Sequence, residues 1–317
     1  ELHQFRSRYH REEVTNNRGG WAKLEFSKTE HLTSEGYFTY LKEFKGGHSL
    51  NAVAGYSYFE KNGENFNAEN YDFGVEGLKY WDLESGSYLT DGKAKMGSKK
   101  DITERLFALY ARANYSYNDK YMVTATIRHE GSSKFAAENR WGNFWALSGG
   151  WRVSGEEFMK EFDWVNDLKI RFGYGVTGNN DFDASYMANT LSRDQYWMLP
   201  SGSWAFVYGP SSNVNPYLGW EEKKEWNIGV DYSFFGNRMY GKFDGMIYEV
   251  NVPQPPYPNG KQWQNIGEME SKGWEFEVGG DIIQNKDFTW TSSLNMSHNS
   301  GKILTMYGNN SRMDGNA

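Results

Sequence analysis

Three sets of residues in this 317-residue chain have types and spacings that chemistry could use. Gly173, Gly175 and Gly178 follow an apolar stretch as G-x-G-x-x-G, the spacing of a dinucleotide-binding turn. That chemistry requires a helix to open at the third glycine, so that its N-terminus can hold pyrophosphate. Asn179-Asn180-Asp181 and a long loop without helical period follow instead, so the glycines read as tight strand-end geometry and sites of close approach. Glu268/Glu270 and Glu275/Glu277 are carboxylate pairs of the type glycosidases use as acid and base. Residues two apart in a strand share a face, which a hydrated wall explains without catalysis. The six histidines show no metal-ligand spacing, with His129 and His298 each standing alone. The sequon Asn295-Met296-Ser297 reads as strand chemistry. No catalytic residue, cofactor or metal site is expected.

The third set is an aromatic-rich segment within a long loop at about residues 178–225, with Tyr196, Trp197, Trp204, Tyr208 and Tyr217 set among Ser, Asn and Asp. Aromatic faces beside polar groups stack on sugar rings or grip peptides. The alternative is that these rings pack the loop against itself or against a partner protein.

Strands must carry these residues. Aromatics make up 17% of the chain, with 35 Gly and only 7 Pro, while mean hydropathy is low at −0.80. Disordered chains are poor in aromatics, so disorder is not the reading. A transmembrane barrel has this profile because half of each strand faces a polar interior. Soluble β-sandwiches and carbohydrate-binding modules share it. The absence of Cys excludes a disulfide scaffold and thiolate metal sites. A net charge of −7 with interspersed signs argues against a nucleic-acid partner, which needs a concentrated basic face. No apolar run reaches the ~18 residues of a membrane helix. The chain opens on Glu1-Leu2-His3 with no signal peptide, as a mature product or a fragment does.

Period-two alternation gives the elements. Phe107, Leu109, Ala111, Ala113, Tyr115 and Tyr117 share one face against Tyr110, Arg112, Asn114 and Ser116. After a turn at Asn118-Asp119-Lys120, Tyr121, Val123, Ala125 and Ile127 oppose Thr124, Thr126, Arg128 and Glu130. That is a hairpin with a tight turn. The pattern recurs over Trp145–Val153, Leu168–Val176, Trp226–Phe234, Trp274–Ile282 and Phe288–Met296. His31–Glu43 and Ser49–Glu60 form a further pair around Lys45-Gly46-Gly47. About ten strands result, more than a single small sheet usually holds. Glu156–Asp163 reads as a turn of helix or a loop. Tyr and Trp near strand ends, and connections that alternate short and long, favour a membrane barrel. Ordinary antiparallel sheets with one wet face remain the alternative.

Several segments, in order, resemble the SusC/RagA family of TonB-dependent outer-membrane transporters. The clearest is Arg128-His129-Glu130-Gly131-Ser132-Ser133-Lys134-Phe135, followed by Asn139-Arg140-Trp141-Gly142 and Ser148-Gly149-Gly150-Trp151-Arg152. Leu168-Lys169-Ile170-Arg171, Tyr174 to Asn180, Asn215-Pro216-Tyr217-Leu218-Gly219-Trp220-Glu221, Trp226 to Asp231, Asn265 to Met269 and Lys272-Gly273 follow. His48 to Tyr56 fits upstream. The resemblance covers residues 30–305 or so and is specific as a set.

It implies an all-β fold, a transmembrane antiparallel β-barrel, with residues 1–317 as part of a larger plugged barrel of the roughly 22-stranded class. Arg128, Gly131, Ser132, Ser133, Phe135, Arg140, Trp141 and Gly142 are then structural motif residues. The implied location is the bacterial outer membrane, and the implied activity is import of an oligomeric glycan or peptide, without enzymatic chemistry. Implied partners are outer-membrane lipid, a SusD-like lipoprotein lid and a TonB complex acting through a plug and TonB box. Neither of those segments is visible in the chain, whose last residues Asp314-Gly315-Asn316-Ala317 do not read as a closing strand. A skip in the sequence is expected near Tyr248–Val250. Two alternatives stand beside this reading: a secreted β-rich glycan-binding module or glycan-active enzyme, and a siderophore receptor without a lid.

Overall fold

The computed structural model describes residues 1–181, 191–210, 217–254 and 264–305, with 191–196, 206–210, 251–254, 264–267 and 305 as backbone only. The strands are β1 (Leu2–Arg6), β2 (Trp21–Phe44), β3 (His48–Tyr71), β4 (Lys95–Lys100), β5 (Glu104–Tyr117), β6 (Tyr121–Ser132) and β7 (Trp141–Arg152). They continue as β8 (Val165–Asn179), β9 (Leu191–Met198), β10 (Trp204–Pro210), β11 (Glu221–Phe234), β12 (Met239–Gln254), β13 (Gln264–Gln284) and β14 (Thr289–Thr305). Twelve join one sheet in the order β1-β2-β3-β5-β6-β7-β8-β11-β12-β13-β14, with β4 on β3. β9 and β10 form a separate antiparallel hairpin. The expected count of about ten is therefore too low. The two end strands each have a single paired neighbour among the described residues, so the ladder is open.

The chain divides into two compact units, Glu1–Thr33 with Phe59–Arg105, and Ser34–Tyr58 with Leu106–Ala317. In the first, β1 pairs with the start of β2, from Leu2↔Glu25 to Arg6↔Trp21. Its β4 lies on the end of β3, where Glu64 meets Lys100 and Glu69 meets Lys95. A five-residue helix, α1 (Arg11–Thr15), carries the fully buried Glu13, and Trp21, Ala22, Tyr71 and Phe73 of the same unit are buried as well. A buried carboxylate needs a counter-charge, and Arg18 Nε lies 2.8 Å from it. The Arg6 and Arg18 guanidinium groups also cover the rings of Trp21 and Tyr71, at 4.5 and 4.6 Å.

The second unit is built from hairpins. Asn118 and Asp119 both take left-handed φ, at 50° and 54°, the conformation whose twist matches a two-residue hairpin turn. At 24 residues each, β2 begins ten residues before the expected His31 and β3 ends eleven residues after the expected Glu60, so both are more than twice the ~9–11 residues a bilayer-crossing strand needs. Val153–Gly155 and Glu157–Met159 are single 3-10 turns, the second within Glu156–Asp163, where a turn of helix or a loop is expected. β12 pairs with β13 in continuous register from Met239↔Gly280 to Val252↔Gly267, through the Tyr248–Val250 segment where a skip in the sequence is expected.

Register fixes two faces from β5 to β14. On one, Trp151–Ile170–Val230–Phe243–Phe276–Met296 and Leu147–Tyr174–Trp226–Ile247 lie in cross-strand rows. On the other, Lys169–Asp231–Lys242–Glu277–Asn295 and Arg171–Gly229–Asp244–Glu275–Ser297 do so. The apolar side chains point outward, with Leu109, Ile127, Leu147, Ile228 and Leu294 all exposed. A water-soluble sheet would cover such a face, so this exposure asks for a non-aqueous neighbour.

Candidate functional site

Three places carry the site residues: the polar sheet face, the end of the sheet beside residues 178–221, and the β9–β10 hairpin.

On the polar face the charges are organised. Arg171 donates from Nε and Nη2 to the Asp231 carboxylate, both at 2.8 Å, and from Nη2 to Asp244 Oδ1 at 2.8 Å. Gly229 lies between these partners in register, and a Cβ there would come 2.4 Å from Asp244 Oδ1 and 2.8 Å from Arg171 Nη2. Arg128 forks onto Glu130 at 2.7 and 2.8 Å and donates to Ser57 Oγ at 3.2 Å. Glu275 and Glu277 share this face as expected, and Glu277 lies 3.8 Å from Lys242 Nζ. A concavity of about 510 Å³ on the face is lined by Asn51, Asn114, Thr124, Ser148 and Lys169 among others. Hydroxyls, amides and ammonium groups in this arrangement hold a polar chain by exchangeable hydrogen bonds; the charge pairs sit in hydrated surroundings and are worth little individually.

The motif block closes the other end of the sheet. Ser132 is buried; its Oγ accepts from Lys134 N at 3.2 Å and from Asn180 Nδ2 at 3.0 Å, while its N–H donates to the Arg140 carbonyl at 3.1 Å. Trp220 Nε1 donates to the same carbonyl at 3.0 Å. The Trp220 ring lies 5.1 Å from both Phe135 and Phe144, and Leu218 nearby in sequence is buried. Trp141 covers Gly131, where a Cβ would fall 2.8 Å from the ring, and stacks on His129 at 4.7 Å and 4°. His129 also bonds Asn143 Oδ1 through Nδ1 at 2.8 Å. Gly142 and Gly178 leave room for the Phe144 ring, with Cβ positions 2.4 and 2.0 Å from its Cζ. Ser133 is exposed on the turn and engaged in a contact of its own. Gly173, Gly175 and Gly178 all lie within β8 rather than at a strand-end turn, and none has positive φ. They are small because Asn227, Ala146 and Phe144 cross above them.

In the hairpin, Trp204 pairs with Met198 and Ala205 with Trp197. Adjacent register positions face opposite ways, so the two tryptophans do not form one platform. Each is 67% exposed. Tyr217 is exposed beside the closing block. The Tyr196 and Tyr208 side chains lie outside the described residues.

At the short-turn end, Glu156 accepts from Tyr121 Oη at 2.6 Å, Trp151 Nε1 at 3.1 Å and Lys120 Nζ at 3.4 Å. The Tyr121 bond, then the Trp151 bond and Lys120, hold its carboxyl below the ordinary range.

The family model for the TonB dependent receptor-like β-barrel matches residues 2–316. The chain belongs to that family. It is 34% identical over 291 residues to TonB-dependent receptor P39 of Formosa agariphila, covering 86% of this chain and 26% of the relative. It is 33% identical over 227 residues to TonB-dependent receptor SusC of Bacteroides thetaiotaomicron, covering 69% of this chain and 23% of that one. Its fold superposes on the RagAB peptide transporter with a TM-score of 0.76 at 24% identity, covering 91% of this chain and 31% of the other. The chain thus spans about a quarter of these two relatives.

As an outer-membrane barrel wall, the two faces have distinct solvents. The exposed apolar rows meet lipid. Two aromatic levels bound them on β11, at Trp226 and at Phe234, eight residues apart along the strand. That is about 26 Å along the strand at ~3.3 Å per residue, or ~20 Å of height at a tilt of ~40°, somewhat less than the ~25 Å apolar band of such barrels. Trp145 and Tyr174 extend the first level at 5.1 Å, and Tyr174 lies 4.2 Å from Trp226. Trp164, 5.3 Å from Phe234, extends the second.

Proposed function

We propose that the complete protein imports an oligomeric nutrient, a glycan or a peptide, across the outer membrane, driven by a TonB complex acting on a plug and covered by a SusD-like lipoprotein. The observation carrying this reading is the two-faced wall: a lipid-facing apolar band backed by a polar face that carries the Arg171–Asp231 and Arg128–Glu130 pairs and a concavity lined by hydroxyls, amides and Lys169. Such a surface lets a hydrophilic chain pass by trading hydrogen bonds, with no bond made or broken. Membership of the TonB-dependent receptor family supports the energy source, and the similarity to SusC supports the class of cargo and the lid. The block at residues 132–142 with 178–180 and 217–220 serves as the fixed base of the long connection between β8 and β11, which we place on the external side. Within that connection Trp197 and Trp204, on opposite faces of the β9–β10 hairpin, and Tyr196, Tyr208 and Tyr217 are the residues offered for contact with cargo or lid.

The test is uptake by cells carrying the complete transporter, with labelled oligosaccharide and oligopeptide pools compared with and without a functional TonB complex, together with affinity purification. Energy-dependent uptake of one pool and recovery of a lipoprotein are expected. Uptake of ferric chelates alone, with no lipoprotein recovered, would sink the reading in favour of a siderophore receptor.

A further inference from the structure

The concavity on the polar face of the second unit holds a cation that the wall itself does not use. Lys169 lines it, and its ammonium makes no ion pair or hydrogen bond among the described residues. The acids beside it in the ladder are committed elsewhere. Asp231, directly opposite on β11, spends both carboxylate oxygens on Arg171 at 2.8 Å. Asp167, the next residue on the same face of β8, accepts from Arg152 Nε at 2.7 Å and from Ser154 Oγ at 2.8 Å. Arg171, the other cation of the lining, also holds Asp244 at 2.8 Å. None of the described lining residues is acidic.

Much of the remaining lining is amide and hydroxyl. Asn51, Ser148 and Asn227 make no side-chain hydrogen bond among the described residues, and Asn114 uses only its Oδ1, which accepts from Thr124 Oγ1 at 2.9 Å. Glycines form the floor. A Cβ at Gly150 would lie 3.2 Å from Lys169 Cε, and one at Gly173 would lie 2.6 Å from Asn227 Oδ1. The lysine stem therefore crosses onto β7 over Gly150, and the Asn227 amide lies over Gly173.

One unpaired ammonium among groups that both donate and accept hydrogen bonds matches a carboxylate on a polyhydroxylated ring. We propose that this concavity is a subsite for a uronic acid of the cargo, its carboxylate held at Lys169 and its hydroxyls by Asn51, Asn114, Ser148 and Asn227. An acidic peptide offers the carboxylate without the hydroxyls, and a neutral sugar the reverse. The volume of about 510 Å³ suits a small polar unit, within the ~300–1,000 Å³ of small-ligand sites. That the ligand arrives as cargo rests on the import reading above.

Lysine acetylation of the complete, detergent-purified transporter, followed by peptide mass spectrometry, tests this with oligogalacturonate, its methyl ester and oligoglutamate as probes. Oligogalacturonate should slow acetylation of Lys169 and leave Lys242, 3.8 Å from Glu277, unchanged. The ester keeps the ring without the charge and should not protect. Lys169→Gln should weaken oligogalacturonate binding about tenfold, the lower end for a hydrogen bond to a charged group, and abolish the preference over the ester. Asn227→Ala should weaken binding about threefold, and it keeps the site testable if Lys169→Gln is not recovered folded. Equal protection by the ester, better protection by oligoglutamate, or no protection by any probe would overturn the proposal. So would a Lys169 that acetylates more slowly than Lys242 with no probe added, because the complete protein would then supply its own partner. These readouts need no uptake, so failure of the subsite leaves the import reading standing, and failure of import leaves the binding site standing.

Discussion

Replacing Phe135 by Ala should unlock the base of the long connection while leaving the wall intact. The ring is 2% exposed and sits 5.1 Å from Trp220, which packs in turn at 5.1 Å on Phe144. Truncating a buried Phe to Ala costs ~3–5 kcal/mol. Because the lost contacts belong to residues 132–142 and 217–220, the cost falls on local opening rather than on the sheet. At ~3 kcal/mol the open fraction rises about 150-fold. Amides suited to report it are Ser132, bonded to the Arg140 carbonyl at 3.1 Å, and Asn139, bonded to Ala136 at 3.1 Å. Hydrogen exchange followed by mass spectrometry on the complete transporter should show this segment exchanging faster by that order. The β11–β12 ladder serves as internal standard. Unchanged protection over 132–142 would refute the clamp, and equal loss in β11–β12 would show that the ring supports the wall instead.

Other expectations follow from the same contacts. Gly178→Val should destabilise the β7–β8 end by ~1–3 kcal/mol through overpacking, because its Cβ would lie 2.0 Å from Phe144 Cζ; adding Phe144→Ala should recover part of the loss in thermal unfolding. Arg171→Met and Asp231→Leu should be non-additive by ~0.5–3 kcal/mol in a double-mutant cycle, since the guanidinium bonds two carboxylates that otherwise face each other. Glu156 has a carboxyl held below its usual 4.5 by Tyr121 and Trp151. A depressed folded pKa means its contribution is complete above the unfolded value and lost as pH falls through the lowered one. Exchange across residues 153–159 should therefore quicken only in acid, and Glu156→Gln should remove that pH dependence.

How far the sequence foretold this depends on which solvent each residue meets. From β5 to β14 lipid on one side and water on the other force period-two alternation, so Leu109, Ile127, Trp226 and Phe276 could be placed on the apolar faces of their strands before any coordinates. The first half of β2 is different. Ala22, Leu24 and Phe26 alternate with Lys23 and Glu25, but Lys28 and Glu30 then fall on the apolar side and break the pattern, and β2 begins ten residues earlier than expected. The strand β4, with Lys99 and Lys100 bonded in register to Asn65 and Glu64, was invisible for the same reason. In the closing block the residue types were legible through family resemblance, but their reason was not. The Trp220 indole meets a carbonyl 80 residues away, and no local pattern encodes that. Trp197 and Trp204 are both contact candidates by sequence, but one step of register, which no local pattern encodes, sets them on opposite faces of the hairpin.

The central claim is that β11 and β12 form a wall with lipid on one side and water on the other. The 317 residues contain no Cys, so single cysteines can be scanned from residue 226 to 231 and from 242 to 247 in the complete transporter, with any cysteine elsewhere replaced. Labelling in native outer membranes should alternate strictly. Ile228, Val230, Phe243 and Gly245 should react with a lipophilic maleimide, and Asn227, Asp231, Lys242 and Asp244 with a small charged thiosulfonate. Reaction of both sets with the charged reagent would mean that water bathes both faces, and the barrel-wall account would fail.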